Sequence, residues 1–115
     1  MTVKRAHIGP RLSQVAIHGD TVYTAGIVAT DTDVDVAGQT GQILDKIDRY
    51  LKEAGTDKTR ILTATIWLAN MKDFSEMNSV WDMWVPKGNT PCRACVESKL
   101  ANPQYKVEIR VIAAR

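Results

Sequence analysis

Thiols and imidazoles are scarce in this chain: its 115 residues include two cysteines and two histidines. A structural zinc site takes four such ligands, and His7 and His18 lie far in sequence from Cys92 and Cys95. The two cysteines form a lone C-x-x-C inside a strand-like run. Positions three apart on a strand face opposite ways, so this pair neither closes a disulfide nor shares a metal. Reduced structural thiols are expected, with no metal and no cofactor. No apolar stretch reaches the roughly 18 residues of a membrane span, and the start, MTVKRAHIGP, lacks the apolar core of a secretory signal. The expectation is a cytoplasmic protein without membrane contact. Basic runs are missing too. The formal net charge is +2 and no Lys/Arg cluster is built to track phosphates, so no nucleic-acid partner is expected. Repeats, linkers and low-complexity segments are absent.

What remains is an ordinary globular composition, 44% apolar and 24% charged, over a length that suits one domain spanning 1–115. From Ile43 onward, Ile43, Leu44, Ile47, Tyr50 and Leu51 recur at helical spacing, opposite a polar face of Gln42, Lys46, Arg49 and Lys52. This predicts a helix over 36–54, capped by Asp33 or Asp35 and stopped by Gly55. A second helix is predicted over 73–85. Asp73 and Glu76 are spaced for a capping box, Met77, Val80, Trp81 and Trp84 form its apolar stripe, and Pro86 and Gly88 end it. A Met/Trp stripe of this kind reads as core, not as a cofactor platform.

Residues 14–18 and 21–28 are β-rich runs joined at Gly19-Asp20, a hairpin turn. In the second run Val22, Thr24 and Gly26 should share one face. Ile61 to Ala69 alternates between an apolar face (Leu62, Ala64, Ile66, Leu68) and a mixed one (Ile61, Thr63, Thr65, Trp67). Residues 91–98 and 105–113 complete the sheet as a terminal pair joined at the Asn102-Pro103 turn. The order β-β-α-β-α-β-β reads as an α+β fold: a single mixed β-sheet packed by two helices on one face. Trp67 on the mixed face calls for a cover there as well, for which a second subunit is the natural source.

Chemistry concentrates in Asn89–Leu100, NTPCRACVESKL. A pleated reading puts Arg93, Cys95 and Glu97 on one face, with Cys92, Ala94, Val96 and Ser98 on the other. Arg93 has two readings. One is a structural ion pair at the sheet surface; the other is a planar fork gripping a carboxylate.

The run T-P-C-R-A-C-V-E and the ending K-V-E-I-R-V-I-A-A-R resemble the RidA/YjgF family of reactive-imine and enamine deaminases. The variant N-P-Q-Y-K-V-E-I is similar to its YoaB-like branch. I-G-P near the start, Ser13-Gln14, the V-Y-T-A-G run and F-S-E-M-N extend the likeness over nearly the whole chain. The resemblance implies the same layout (chorismate-mutase-like) and a homotrimer with ligand clefts between subunits. It also implies hydrolysis of small 2-imino or 2-enamino acids to keto acids and ammonia, without a metal. On that likeness Arg93 holds the substrate carboxylate, Cys95 lines the cleft and Asn78 closes its helix-side wall.

Three positions depart from the family pattern. Arg110 stands where the deaminases carry a glutamate held to position water, and arginine is no base at neutral pH. Leu12 aligns with a tyrosine, and Ala25 with a serine. Two expectations follow. One is an enzyme of the 2-iminobutanoate/2-iminopropanoate deaminase type, with Arg93 the catalytic and binding residue and Asn78, Cys95, Arg110, Leu12 and Ala25 around the substrate. The other is a non-catalytic trimer that binds small carboxylate metabolites. An endoribonuclease role, also linked to the family, ranks below both for want of a basic patch.

Overall fold

A computed structural model describes all 115 residues. Helix α1 (Val36–Glu53) starts at Asp35, whose extended backbone lets Oδ1 accept the Gly38 N–H at 2.9 Å. That bond satisfies one of the donors every helix start leaves orphaned. Ile43, Leu44, Ile47 and Leu51 are buried as their spacing requires, each contributing about 1.5–3 kcal/mol by leaving water. At the far end Gly55 adopts φ +86°, and the Thr56 N–H returns to the Leu51 carbonyl. Only glycine takes that conformation without strain.

Six strands form one mixed sheet: β1 (Val3–Ile8), β2 (Ser13–His18), β3 (Thr21–Thr24), β4 (Ile61–Leu68), β5 (Cys92–Glu97) and β6 (Val107–Ala114). Their spatial order is β1-β2-β3-β6-β4-β5, antiparallel throughout except β4–β5. Helix α1 and helix α2 (Phe74–Trp84) cover one face. The core joins Ile43, Ile47, Met77 and Trp81 from the helices to Val22, Ala64, Ile66, Leu68, Val107, Ile109 and Val111 from the sheet. The other face carries Tyr23, Thr65, Trp67, Val96, Glu108 and Arg110, none of them fully buried.

The α+β layout is the expected one, with five local differences. First, β1 is an additional strand. Its sequence, VKRAHI, shows no apolar alternation because five of its six residues are exposed. It is held by backbone pairing to β2 and by His7, whose Nε2 lies 2.7 Å from Glu53 Oε2 and whose ring packs on Tyr50. Second, β3 ends at Thr24, and pairing resumes only as an isolated bridge between Ile27 and Ile109. Ile27 is thus buried with Val22 and Thr24, while Gly26 turns toward Glu108 on the open face. Third, a bulge between Ile61 and Thr63 inserts one residue in β4. Ile61 is buried and Leu62 is exposed, the reverse of the expected assignment, because an extra residue flips the alternation.

Fourth, the last two strands are not a hairpin. β4 lies between them, with β5 on the sheet edge. Fifth, no capping box forms at Asp73, which makes no side-chain cap bond. A short 3₁₀ turn at Met71–Asp73 leads into α2, and Asn70 caps that turn by accepting the Lys72 N–H.

Two loops are fixed by side chains of α1. Gln39 is fully buried; its Nε2 donates to the carbonyls of Gln104, Val34 and Thr32, and its Oε1 accepts the Lys106 N–H. Lys46 donates to the Val28 carbonyl at 2.7 Å. Burial lowers the Lys46 pKa, with the neighbouring Arg49 charge adding to the effect.

Candidate functional site

The β4–β5 pair is the one parallel pair of the sheet, and β5 pairs on that side only. Register sets Arg93 beside Ala64 and Cys95 beside Ile66, both fully buried residues of the helix-facing side. Arg93 therefore points toward α2. Its Nη1 donates to Asn78 Oδ1 at 2.8 Å, and its guanidinium lies 5.3 Å from the Trp81 ring and 5.8 Å from the Phe74 ring. The spacing Phe74–Asn78–Trp81 on α2 presents an amide and two ring faces along one side of that helix.

No carboxylate of the chain lies within ion-pair distance of Arg93; the one such contact in the molecule is His7–Glu53. One donor nitrogen is held by Asn78 and the plane rests on aromatic rings, which leaves the rest of the fork to an incoming anion. The structural ion pair weighed for Arg93 is not formed within the chain.

Cys95, on the same face, is half-buried, and Cys92 is exposed on the other. Burial pushes the Cys95 thiol up, outweighing the opposite pull of the Arg93 charge. A thiol held protonated is a cleft wall, not a nucleophile.

Arg110 is elsewhere. It pairs in register with Thr65, and its guanidinium lies over Trp67 at 5.8 Å, on the face away from the helices. No carboxylate of the chain, that of Glu108 two residues away included, lies within ion-pair distance of it. Leu12 is exposed in the loop between β1 and β2, where it helps line a concavity of about 340 Å³ with His7, Pro10 and Gln14. Ala25 is half-buried against the core, its N–H bonded to the Gln14 carbonyl.

The six residues thus fall into two sets. Asn78, Arg93 and Cys95 are together at the β5 edge. Arg110, Leu12 and Ala25 belong to the open face and the opposite half of the sheet. None of the four cavities of the chain contains Asn78, Arg93, Cys95 or Arg110. A cleft using both sets is not closed by one copy.

Glu108 is not among the site residues the sequence marks out. It sits on β6 opposite Trp67, half-buried, with its carboxylate against Gly26. No hydrogen bond or ion pair within the chain engages that carboxylate, and burial pushes its pKa up. The signal available beforehand was its place two residues from Arg110 on the same face. Its contact with Gly26 leaves no mark on the pattern of residues.

A family model described as Endoribonuclease L-PSP matches residues 4–115. A RutC family protein of Haemophilus ducreyi is 50% identical over 112 residues, covering 97% of this chain and 96% of the relative. The RutC family protein YoaB of Escherichia coli K12 is 45% identical over 114 residues, covering 99% of each chain. The chain belongs to the RidA/YjgF family, and it is YoaB-like. A crystal structure of a YjgF-family member from Neisseria meningitidis superimposes with a TM-score of 0.97 at 41% identity, covering 100% of this chain and 96% of the other. A more distant relative is the 2-iminobutanoate/2-iminopropanoate deaminase of Escherichia coli K12. It is 29% identical over 117 residues, covering 96% of this chain and 91% of that protein. Within this RidA/YjgF chain no helix is long and apolar enough to cross a membrane, and no cluster of His, Cys, Asp or Glu is grouped to hold a metal.

Proposed function

We propose that this RidA/YjgF protein hydrolyses small 2-imino or 2-enamino acids to 2-keto acids and ammonia, in clefts completed by a second copy of the chain. The observation that carries the reading is the Arg93 guanidinium, held by Asn78 Oδ1 at 2.8 Å over Trp81 and Phe74 and lacking an internal carboxylate partner. A preorganised planar cation on an exposed sheet edge suits a substrate carboxylate. Gripping that carboxylate fixes the adjacent imine carbon, and orientation alone lowers the barrier to attack by water. Cys95 and Asn78 line the same side. The distant likeness to a protein named as an iminobutanoate/iminopropanoate deaminase agrees with this chemistry.

The separation of Arg93 from Arg110, Leu12 and Ala25 supports a homotrimer, in which one copy's β5 edge meets another's open face. The test is ammonia release from a 2-imino acid generated in the cuvette by an amino-acid oxidase. Wild type should speed release over the buffer rate and Arg93→Ala should not. Equal rates for wild type and buffer refute the enzyme.

Arg110 favours a second reading, a trimer that binds small carboxylate metabolites without turning them over, since a guanidinium cannot accept water's proton. Saturable keto-acid binding without imine hydrolysis is its signature.

A further inference from the structure

We infer that Glu108 is the catalytic acid–base residue of this chain, acting on the hydrolytic water from the open face of the sheet. The inference rests on the deaminase reading. It supplies the proton acceptor that Arg110 cannot be.

The argument is geometric. Glu108 projects from β6 onto the same face as Arg110, opposite Trp67 in register. Its carboxyl group is packed against Gly26, immediately after Ala25, so close that a side chain on Gly26 would fall 2.8 Å from the carboxyl carbon. Hydrogen bonding within the chain leaves both oxygens free. A carboxylate half-withdrawn from water and given no donor is costly to keep unless something outside the chain uses it. The charged groups nearest along the chain are Arg110 on the same strand and Lys106 just before it, two residues to either side. β4 presents Trp67 and Thr65, β3 presents Tyr23, and the segment after β3 presents Gly26. No second acid stands on these neighbouring elements.

Burial raises the Glu108 pKa toward the working range of a general base, where accepting and returning a proton are both accessible. On a protonated imine, water adds through oxygen to the imine carbon and the C=N π pair moves to nitrogen. Glu108 takes the proton that water loses. The resulting carboxylic acid then protonates the amino nitrogen, and ammonia leaves with the C–N pair. The hydroxyl's proton passes to that ammonia as C=O forms, giving keto acid and ammonium and restoring the carboxylate.

Gly26 provides a second handle. Its backbone is outside the left-handed region, and the atoms a methyl group would meet are the flexible end of Glu108. Gly26→Ala should therefore fold and push the carboxylate aside without removing it.

The experiment measures kcat, KM and the pH profile of ammonia release from 2-iminopropanoate, generated from alanine by an amino-acid oxidase. It compares wild type, Glu108→Gln, Glu108→Asp and Gly26→Ala. Glu108→Gln should lower kcat by about 100-fold or more, the range for a lost acid–base group, and erase the acidic limb of the profile. KM should change little, because Arg93 still holds the carboxylate. Glu108→Asp should recover part of the rate, and Gly26→Ala should lower kcat and move the acidic limb. Wild-type kcat and an unchanged profile in Glu108→Gln or Gly26→Ala overturn the inference while the deaminase reading stands. Failure of wild type to exceed the buffer rate overturns both.

Discussion

Arg93 and Arg110 lie on opposite faces of one sheet, the first bonded to Asn78 Oδ1 at 2.8 Å and the second laid over Trp67 at 5.8 Å. A cleft that uses both requires one copy's β5 edge beside another copy's open face. Sedimentation equilibrium at micromolar concentration should give about three chains per particle, closed cyclic symmetry being the usual solution for a self-covering face. Complementation tests the sharing directly. Arg93→Ala and Glu108→Gln chains, each inactive alone, should regain activity when unfolded and refolded together, with about a quarter of clefts intact by random pairing. A monomer, or mixtures as inactive as the parents, would contradict the shared cleft.

Arg93 is exposed, so its removal should leave the fold alone and act on the ligand. Arg93→Ala should weaken keto-acid binding by roughly 1.5–3 kcal/mol, the range for a charge-assisted hydrogen bond. Arg93→Lys should restore only part of it, since an ammonium neither forks nor stacks on Trp81 and Phe74 as a guanidinium does. Titration calorimetry decides; equal affinities for wild type and Arg93→Ala would show the carboxylate binds elsewhere.

Gln39 is the buried polar group on which two loops depend. Gln39→Leu leaves the Lys106 N–H and the Gln104 carbonyl without their partner. Each orphaned group costs about 1–3 kcal/mol, so the loss should be roughly 2–5 kcal/mol in urea unfolding. A loss under about 1 kcal/mol would mean that water replaces the amide at both ends.

How much of this was readable beforehand varies by element. α1 was legible because Ile43, Leu44, Ile47 and Leu51 obey one period and a cap and a glycine bracket them. Leu62 was misassigned because a bulge leaves no mark on an alternating sequence. β1 was missed because an exposed edge strand needs no apolar face. Gln39 reads as helix-surface polarity until the loops it bonds are in place. At the site, Arg93 stood out through its motif, but its pairing with Asn78 spans 15 residues and is set by α2 packing over β5. The placing of Arg93 and Arg110 on opposite faces depends on strand order and register, which parity along a single strand does not reveal.

Glu108 should leave a signature in stability. Burial raises its folded-state pKa above the unfolded value. Between those two values the native state binds more protons than the unfolded chain, so its contribution is fully present below the unfolded pKa. That contribution is lost as pH rises through the folded pKa. Subtracting the Glu108→Gln stability curve from the wild-type curve should therefore give a difference that falls with rising pH across this window. A flat or rising difference would mean the carboxylate is as well solvated as in the unfolded chain.

On the proposed shared cleft, Arg110 should set ligand preference. It is an exposed guanidinium stacked on Trp67, with no internal carboxylate and with Thr65 opposite it in register. If the proposed shared cleft forms, Arg110 would stand with Glu108 on one wall, and Arg93, gripping a substrate's first carboxylate, on the other. Two guanidinium groups facing one small cleft repel unless anionic groups lie between them. Ligands with two anionic groups, such as dicarboxylates, should then bind more tightly than monocarboxylates, and Arg110→Ala should erase the difference. A binding panel of mono- and dicarboxylate keto acids measures it; a monocarboxylate preference unaltered by Arg110→Ala would rule out the second anchor. Arg110→Glu separates ligand preference from chemistry, because it puts a second carboxylate beside Glu108 and removes the second cation. If proton transfer by Glu108 is sufficient, Arg110→Glu should lose dicarboxylate affinity while changing monocarboxylate imine hydrolysis by less than about tenfold, under the contribution of a new acid–base group. A rise of about 100-fold or more would assign the missing proton acceptor to position 110 itself.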